Sequence, residues 1–313
     1  MPRISVCTAS YNFRPYLHRV YESLQLQTFK DFEWIIVDDG SEDDTESLVK
    51  EWIANKDFFT IRYHRFPENR GKMSATNHGA IMAEGEFFLD FGGDDALKPN
   101  ALERFMARWD EIDEDVKPEI AALIACSENQ YGEFVGTEFP QDPLICDFYE
   151  RKFKYRIKGE KLQLFKTEVT RRFPYYDKVD RHVIHSATYF DISEFYKIYC
   201  FNEVLYTWYV HEKDKVSLSE RTHKLRFIKG RQFYAERRIN KYLPCIPTVD
   251  NKSYVFLFKF LTFVSYIRYS SHMGLGVGEM FRRIQKKHYK LIFCLILPLG
   301  LGLILSDRIK KRV

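Results

Sequence analysis

The chain lacks the cysteine spacing that a disulfide framework or a structural zinc site requires. Its 313 residues include six cysteines, and no two of them form a C-x-x-C pair. Scattered cysteines are typical of proteins in a reducing compartment. An apolar leader is also missing, because Arg3 is followed at once by the alternating residues 4–7, which predict a strand. We therefore expect the start of this protein to lie in the cytosol.

Glycine-rich loops that hold phosphates are absent as well. Residues 7–12, which follow the first predicted strand, read Cys-Thr-Ala-Ser-Tyr-Asn, whereas a dinucleotide-binding fold needs G-x-G-x-x-G at this point. The pattern G-x-x-x-x-G-K-[ST] occurs nowhere in the sequence. These absences exclude the Rossmann and P-loop ways of binding a phosphate.

Charge is distributed unevenly, although the net charge is only +4. Residues 1–212 carry 26 Lys and Arg against 38 Asp and Glu, and residues 213–313 carry 22 against 6. A hydrophobic share of 45% indicates a globular protein with a packed core. The basic tail indicates an anionic partner, either nucleic acid or a phospholipid surface, with a merely solvated basic face as the alternative.

Apolar patterns alternate between strand and helix along the first half of the chain. Short apolar runs predict strands near residues 3–8, 33–38, 60–66, 86–91, 119–126 and 200–210. Apolar residues at helical spacing predict helices near residues 17–24, 48–53, 74–83 and 99–109. This alternation predicts an α/β fold with a mostly parallel sheet flanked by helices. Residues 130–176 give no clear pattern, and the chain after residue 217 is predicted to be helical.

Acidic pairs follow two of the predicted strands. Asp38 and Asp39 come after the second strand, and Asp94 and Asp95 come after the fourth. Mg²⁺ prefers oxygen ligands and typically uses one or two carboxylates together with substrate phosphate oxygens. Each pair is therefore a candidate for a metal that bridges a diphosphate, with a simple turn or helix cap as the alternative.

Four ordered motifs resemble the signature of family 2 glycosyltransferases, which have the GT-A fold. Residues 8–12 match the family's T-x-x-Y-N loop, and residues 37–41 match its V-D-D-G-S. Residues 69–79 match its N-x-G-x-x-x-A-x-N-x-G helix, and residues 85–95 match its strand that ends in acids. The resemblance extends through residues 202–206 and 216–217, so it covers most of the chain, and it becomes looser beyond residue 217.

The resemblance implies a nucleotide-binding role for residues in the first two loops. Thr8, Ala9, Tyr11 and Asp39 would line the pocket of the base. Tyr11 offers a stacking face, with core packing as its alternative, and Asp39 can accept a hydrogen bond from a base imide.

The resemblance also implies a diphosphate and metal site. Lys72 would neutralise the diphosphate, with ordinary surface charge as its alternative, and Asp94 would ligate Mn²⁺ or Mg²⁺. Gly92 stands where the family usually has the first Asp of D-x-D-D. Asp90 stands where an apolar strand residue is usual, and it either compensates for that missing carboxylate or is simply buried and paired.

An inverting transfer needs a general base that deprotonates the acceptor hydroxyl, and the family supplies an acid just before a helix in the second half of the domain. By alignment after Phe173 and Pro174, Asp180 corresponds to the first such acid and His185 to the second. Both are candidates, with Asp180 preferred. The imidazole is chemically competent near neutral pH.

The C-terminal tail combines an apolar run with basic flanks. Residues 291–305 carry no charge, which is short of the ~20 apolar residues of a spanning helix, and Pro298 and the glycines after it favour a bend. Basic residues on both sides favour the cytoplasmic face. The tail is therefore predicted to dock on an anionic membrane surface as a shallow hairpin or in-plane helix and to bind no nucleic acid. A buried core helix and a single span are the alternatives.

Together these features predict a GT-A domain over residues 1–212 and a basic helical extension over residues 213–313, with a membrane-associating segment near 289–305. The implied activity is an inverting, metal-dependent transfer of a sugar from a nucleotide-diphosphate sugar to a lipid-linked or glycan acceptor in cell-surface polysaccharide synthesis, at the cytoplasmic face of the inner membrane. A catalytically inactive sugar-nucleotide binding or scaffold protein is one alternative. A nucleotidyltransferase is another, although residues 8–12 lack the glycine- and arginine-rich loop that it needs.

Overall fold

The structure is a computed structural model that describes residues 1–209, 227–248 and 251–310, with side chains described to residue 304 in the last helix. The predicted domain boundary between residues 212 and 213 lies outside the described residues. The motif match at residues 216–217 lies outside them too.

The described residues form one nine-stranded sheet. Its strands are β1 (Ile4–Ser10), β2 (Phe32–Asp38), β3 (Thr60–Arg65), β4 (Phe87–Asp90), β5 (Ala96–Leu97), β6 (Ile120–Asn129), β7 (Leu144–Cys146), β8 (Leu162–Lys166) and β9 (Lys197–Trp208). Their order is β3-β2-β1-β4-β8-β6-β9-β5, and β7 also pairs with β9.

Helices cover the sheet and form the C-terminal part. They are α1 (Arg14–Gln25), α2 (Thr45–Asn55), α3 (Lys72–Met82), α4 (Ala101–Asp110), α5 (Thr167–Arg172), α6 (Ser186–Ile192), α7 (Ile228–Arg237), α8 (Lys252–His272), α9 (Val277–Arg283) and α10 (Lys287–Lys310). Two π-helical turns lie at Glu150–Lys154 and Arg238–Tyr242, and two 3₁₀ turns at Lys117–Glu119 and Leu243–Cys245.

The strand directions confirm the α/β prediction and refine it. Strands β1 to β4 are parallel to their neighbours within this group. Beyond β4 the sheet is mixed, because β8 is antiparallel to both β4 and β6, and β5 and β7 are antiparallel to β9. Strand β8 lies in the part of the sequence that gave no clear pattern. Its reversed direction brings the residues that precede it to the edge where β4 ends.

The buried parallel half explains why its strands were easy to predict. All seven residues of β2 are buried, and strands covered on both faces show continuous apolar runs. One of its two buried acids, Glu33, accepts a hydrogen bond from Ser5 Oγ at 2.6 Å and pairs with Arg62 at 3.0 Å. Gly79 allows α3 to pack closely on β1, since a Cβ there would lie 2.2 Å from Cys7 Sγ.

The helices after residue 227 pack on the sheet domain. Asp191 at the end of α6 is buried and accepts hydrogen bonds from Arg237 Nη2 at 2.7 Å and Lys241 Nζ at 2.6 Å. Tyr242 donates a hydrogen bond to the Ala187 carbonyl at 3.0 Å. The first part of the basic extension therefore shares a core with the domain that precedes it.

The C-terminal apolar run does not fold back on itself at Pro298. Helix α10 continues from Lys287 to Lys310 with Pro298 inside it, so the hairpin form of the tail prediction is wrong. The contact with α8 explains the difference, because Gly300 lies so close to Ile267 that a Cβ would stand 2.6 Å from its Cγ2. This is the one helix in the described residues that is long and apolar enough to cross a membrane by length and composition.

Candidate active site

A cavity of about 530 Å³ opens at the carboxyl end of β4. Its walls come from the loop after β4, the start of α3, the segment that enters β8, and the residues around the start of α6. Tyr254 of α8 also lines it. The cavity therefore lies at the edge of the sheet where ligands of α/β folds bind.

One wall of the cavity combines three carboxylates with a lysine. Asp90, Asp94, Asp95 and Lys72 all line it. Lys72 Nζ lies 3.8 Å from Asp90 Oδ1, and Tyr175 donates a hydrogen bond to Asp90 Oδ2 at 3.4 Å. The carboxylates, Asp90 foremost, raise the pKa of Lys72. The structure thus brings Lys72 and Asp94 together as the sequence predicted, and Asp90 is paired.

The carboxylates after Gly92 fill the space beside it. A Cβ at residue 92 would lie 2.8 Å from Asp95 Oδ2 and 3.3 Å from Asp94 Oδ1. The Tyr209 amide donates a hydrogen bond to Asp95 Oδ1 at 3.1 Å, while burial and the neighbouring Asp94 raise the pKa of Asp95 to about 7. The acid that is missing at residue 92 is therefore matched by a second acid, Asp95, in its immediate surroundings.

This donor set fits a hard divalent cation. Asp94 and Asp95 line the cavity, and Asp90 Oδ1 is buried and accepts no hydrogen bond within the described residues. Within those same residues, no group of three or more His, Cys, Asp or Glu side chains is suited to hold a metal by itself. A cation here would take its remaining ligands from substrate phosphates and water.

Of the two candidate bases, His185 lines the cavity and Asp180 is not among the lining residues. The Asp180 carboxylate accepts hydrogen bonds from the Gly230 amide at 2.9 Å and the Arg181 amide at 2.8 Å. The His185 ring lies 4.8 Å from the Tyr175 ring. Burial and the positive charge of Lys72 lower the pKa of His185 to about 4, so its imidazole is neutral near pH 7.

The predicted nucleotide-binding residues lie at the ends of β1 and β2, and none of them is among the residues that line the cavity. Thr8 is fully buried and accepts a hydrogen bond from Trp34 Nε1 at 3.0 Å. Ala9 is half-buried. Tyr11 is 37% exposed, which argues against core packing as its role.

Asp39 holds the loop that leads into α3. Its carboxylate is buried and accepts hydrogen bonds from the amides of Arg70 at 2.6 Å and Gly71 at 2.8 Å. Burial raises its pKa, while these two hydrogen bonds act in the opposite direction. Both carboxylate oxygens are thus engaged within the protein, and a base imide would have to share or displace these contacts.

Side chains of the first two loops hold each other in place. The Asn12 amide donates to Ser41 Oγ at 2.9 Å, and the Glu42 amide donates to Asn12 Oδ1 at 2.8 Å. Asp38 is fully buried and accepts from the Ser41 amide and the Tyr63 hydroxyl. The first acidic pair is therefore committed to loop structure.

The sequence reasoning missed the basic side of the cavity. Arg151, Lys152, Arg156, Lys158 and Lys161 line it. The available signal was composition, since residues 151–161 hold six basic residues and one acid. Because this segment shows no clear secondary-structure pattern, its basic composition could not be assigned to a place in the fold.

The sequence profile described as glycosyl transferase family 2 matches residues 5–180. This match covers more than half of the chain, including β1 to β4 and the acidic loop. The chain belongs to glycosyl transferase family 2. The family resemblance that the motifs predicted is confirmed.

Two curated relatives illustrate the similarity. The GalNAc(5)-diNAcBac-PP-undecaprenol beta-1,3-glucosyltransferase of Campylobacter jejuni is 34% identical over 169 residues, which cover 53% of this chain and 52% of the relative. The chondroitin synthase of Escherichia coli is 35% identical over 103 residues, which cover 33% of this chain and 15% of the relative. The similarity spans about half of the first relative and less of the second.

Solved structures share the fold. S. aureus TarS superposes with a TM-score of 0.61 at 17% identity, covering 96% of this chain and 52% of that protein. A mannosyltransferase from Pyrobaculum calidifontis, solved with GDP-Man and Mn²⁺, has a TM-score of 0.52 at 17% identity and covers 98% of this chain and 88% of that one. These likenesses confirm the GT-A prediction.

Proposed function

We propose that this family member transfers a sugar from a nucleotide-diphosphate sugar to an acceptor, with inversion at the anomeric carbon and with the help of Mn²⁺ or Mg²⁺. The observation that carries the proposal is one cavity lined by Lys72, Asp94, Asp95 and His185. Similar proteins support a nucleotide-sugar donor, since a fragment of S. aureus TarS was solved with UDP-GlcNAc, at 16% identity and a TM-score of 0.58 over 91% of this chain and 82% of that one.

The acidic wall would serve the leaving group. Asp94 and Asp95 would hold the divalent cation, which would supply positive charge to the diphosphate. Lys72 Nζ lies 3.8 Å from Asp90 Oδ1, and the charge of Asp90, followed by those of Asp94 and Asp95, raises the pKa of Lys72, so that its ammonium stays protonated. A lysine whose carboxylate partner is 3.8 Å away can turn toward a phosphate without breaking a close ion pair. Fixed charges in a partly enclosed cavity stabilise developing charge more than they would in water.

Besides stabilisation of the leaving diphosphate, the reaction requires removal of the proton from the acceptor hydroxyl. We assign this step to His185. Its neutral imidazole has a free lone pair, whereas the Asp180 carboxylate is occupied by two amides. A pKa near 4 makes the imidazole a weak base in the free protein. A bound diphosphate would bring negative charge into the cavity and raise the pKa of His185 toward neutrality. Asp180 remains the alternative base.

A ligand screen followed by a turnover assay tests the proposal. Thermal unfolding is measured with UDP, GDP, dTDP and CMP, each with and without Mn²⁺, because a ligand that binds the folded state raises Tm by mass action. Hydrolysis of radiolabelled nucleotide sugars is then measured with the nucleotide that binds. Binding without any hydrolysis or transfer would indicate a sugar-nucleotide binding protein, and absence of nucleotide binding would contradict the whole proposal.

We propose that the acceptor is a lipid-linked molecule or a glycan in cell-surface polysaccharide synthesis. We also propose that the protein docks on the cytoplasmic face of the inner membrane. Support comes from α10, whose Leu291, Leu295 and Leu299 are 65%, 75% and 51% exposed. Their spacing of four residues places them on one helix face. The other face packs on α8, where the ring centroids of Phe293 and Tyr266 lie 6.3 Å apart. Because α10 is packed along one side, we favour an in-plane helix over a single span.

Flotation with phosphatidylglycerol vesicles tests the docking surface. Replacing Leu291, Leu295 and Leu299 together with Glu should move the protein from the vesicle fraction to the soluble fraction. Leu26→Glu is the matched control, because Leu26 on α1 is 64% exposed and lies far from α10 in the sequence. Equal flotation of the triple variant and the wild type would rule out this surface. Protection of a C-terminal tag in inside-out vesicles would indicate a span instead.

A further inference from the structure

The segment that enters β8 gives the cavity a second, basic wall. Arg151, Lys152, Arg156 and Lys158 line it, and these four residues are called the basic wall below. Within the described residues none of the four makes an ion pair with a carboxylate, although the neighbouring Lys154, which does not line the cavity, pairs with Glu150 at 3.5 Å. Positive charge therefore faces the cavity without an acidic partner.

Aromatic rings position these cations. Lys152 Nζ lies 4.8 Å from the centroid of the Phe258 ring, and Arg156 Cζ lies 5.2 Å from that of Tyr254. Both rings belong to α8. Arg238 Cζ lies 3.9 Å from the same Phe258 ring, and its Nε is buried without a hydrogen-bond partner in the described residues. Contacts with ring faces restrain a cation without neutralising it.

The local electrostatics favour a bound anion. Burial and the nearby Arg238 lower the pKa of Lys152 to about 8, which means that its positive charge is destabilised in the free protein. Glu150, which directly precedes the basic wall, pairs with Lys154 and Lys197 and does not line the cavity, whereas Glu160 lines it and is exposed. A phosphate would remove the repulsion and would accept charge-assisted hydrogen bonds from lysine and arginine.

The sheet order separates this wall from the predicted nucleotide pocket. Tyr11 and Asp39 follow β1 and β2, which lie on one side of β4. The basic wall precedes β8, the neighbour of β4 on the other side. Adjacent strands are about 4.8 Å apart, so a donor whose base lies over β1 and whose diphosphate lies at Asp94 leaves the β8 side of the cavity for the acceptor.

We propose that the basic wall binds the phosphate or diphosphate group of a lipid-linked acceptor. The apolar part of such an acceptor has a path along α8, which reaches the cavity at Tyr254 and exposes Phe256, Leu257 and Leu261 by 70%, 52% and 48%. The inference rests on the proposed function, because it names the acceptor of that same cavity. It adds a recognition site that is separate from the groups acting on the donor.

Anion binding can be measured without turnover. Inorganic pyrophosphate in EDTA should raise the Tm of the wild type and of Asp94→Asn, because neither a metal nor Asp94 is needed at the basic wall. The double variant K152M/R156M should lose this shift, and Lys154→Met, the neighbouring control, should keep it. A shift that survives in the double variant would overturn the proposal. Loss of vesicle binding by K152M/R156M, together with a pyrophosphate shift equal to that of the wild type, would also overturn it. The basic wall would then be a contact with the phosphatidylglycerol membrane.

Kinetics with two acceptors that differ only in charge complete the test. K152M/R156M should raise the KM for a short-chain prenyl diphosphate sugar about tenfold or more, as expected for the loss of charge-assisted contacts. The KM for an uncharged alkyl glycoside, the KM for the donor and donor hydrolysis should stay the same. A raised donor KM would mean that these cations hold the donor, which contradicts the proposal. Failure of the wild type to hydrolyse any donor would instead contradict the proposed function, while leaving the pyrophosphate result interpretable.

Discussion

The two walls of the cavity are built in different ways. The acidic wall comes from residues 72–95, a continuous stretch that contains α3, β4 and the loop after it. The other wall is assembled from residues 151–161, residues 175–190 and Tyr254, which are far apart in the sequence. The first wall carries motif residues, and the second carries groups without a motif. The comparison teaches that the groups assigned to the diphosphate of the donor are local in sequence, whereas those assigned to the acceptor depend on long-range packing.

Removing one negative charge from the acidic wall should cause the largest loss in the rate of sugar transfer. Asp94→Asn keeps the size of the side chain but removes a metal ligand, so transfer should fall by about a thousandfold or more. The rate is measured across a Mn²⁺ titration. Asp110→Asn is the control, because Asp110 is exposed at the end of α4 and its carboxylate accepts a hydrogen bond from Arg3 Nη2 at 3.0 Å. Wild-type turnover of Asp94→Asn at every Mn²⁺ concentration would remove the metal role from this wall.

On the opposite wall, His185→Gln should lower kcat by about 10²–10⁴-fold, which is the usual range for loss of a general base. Nucleotide binding should be unchanged. Asp180→Asn should mainly lower Tm, because it weakens the hydrogen bond to the Gly230 amide at the start of α7. The opposite result, with a normal rate for His185→Gln and a slow Asp180→Asn, would transfer the role of base to Asp180.

A smaller change at the acidic wall tests whether Asp95 uses the space beside Gly92. Gly92→Ala introduces a Cβ that would lie 2.8 Å from Asp95 Oδ2, so the carboxylate must move. We expect the Mn²⁺ concentration for half-maximal activity to rise about tenfold, or roughly 1.4 kcal/mol. Gly276→Ala is the control, because nothing lies within 4 Å of a Cβ at that position. An unchanged Mn²⁺ dependence would show that the position of Asp95 does not matter for the metal.

The smallest effect concerns the pH dependence of stability. Because the pKa of His185 is lowered from 6.5 to about 4, both folded and unfolded states carry a neutral imidazole above pH 6.5. Between about pH 6.5 and 4 only the unfolded state binds this proton, so His185 contributes a decline in the free energy of unfolding as the pH falls, while the raised pKa of Asp95 contributes in the opposite sense. His185→Gln should make this decline shallower in denaturant titrations. The decline should not vanish, since burial also lowers the pKa of His78 and His182.

Much of the first wall could be predicted from the sequence. Strands β1 to β4 were predicted within a few residues, and β2 and β4 show the continuous apolar runs that parallel strands buried on both faces produce. Lys72 and Asp94 were singled out by the family motifs, and both line the cavity, while the roles assigned to them stay predictions. The preference for Asp180 over His185 came from residue type alone. The structure adds the amide contacts of Asp180 and the exposure of His185 to the cavity.

The second wall and the tail could not be predicted in the same way. Strand β8 has only five residues and runs antiparallel between β4 and β6, so its direction depends on partners outside its own sequence. The sequence favoured a fold-back at Pro298 because it does not show that α10 packs on α8. In the structure Gly300 of α10 lies against Ile267 of α8, and the helix continues through Pro298. A proline and two glycines weaken a helix locally, but tertiary contacts along one face can outweigh that preference.

By itself the sequence determined the family, the α/β class, the parallel first half of the sheet and the acids that follow β4. These features follow from residue order over short distances, through apolar periodicity and ordered motifs. Only the tertiary structure decided that Asp95 lies beside Gly92, that His185 faces the cavity, and that the basic segment before β8 meets the acidic loop. The physical reason is that β8 reverses its direction beside β4 and α8 packs back against the domain. Charges that are separated by 56 residues (Asp95 to Arg151) to 89 residues (Lys72 to Lys161) along the chain are thereby brought to one cavity.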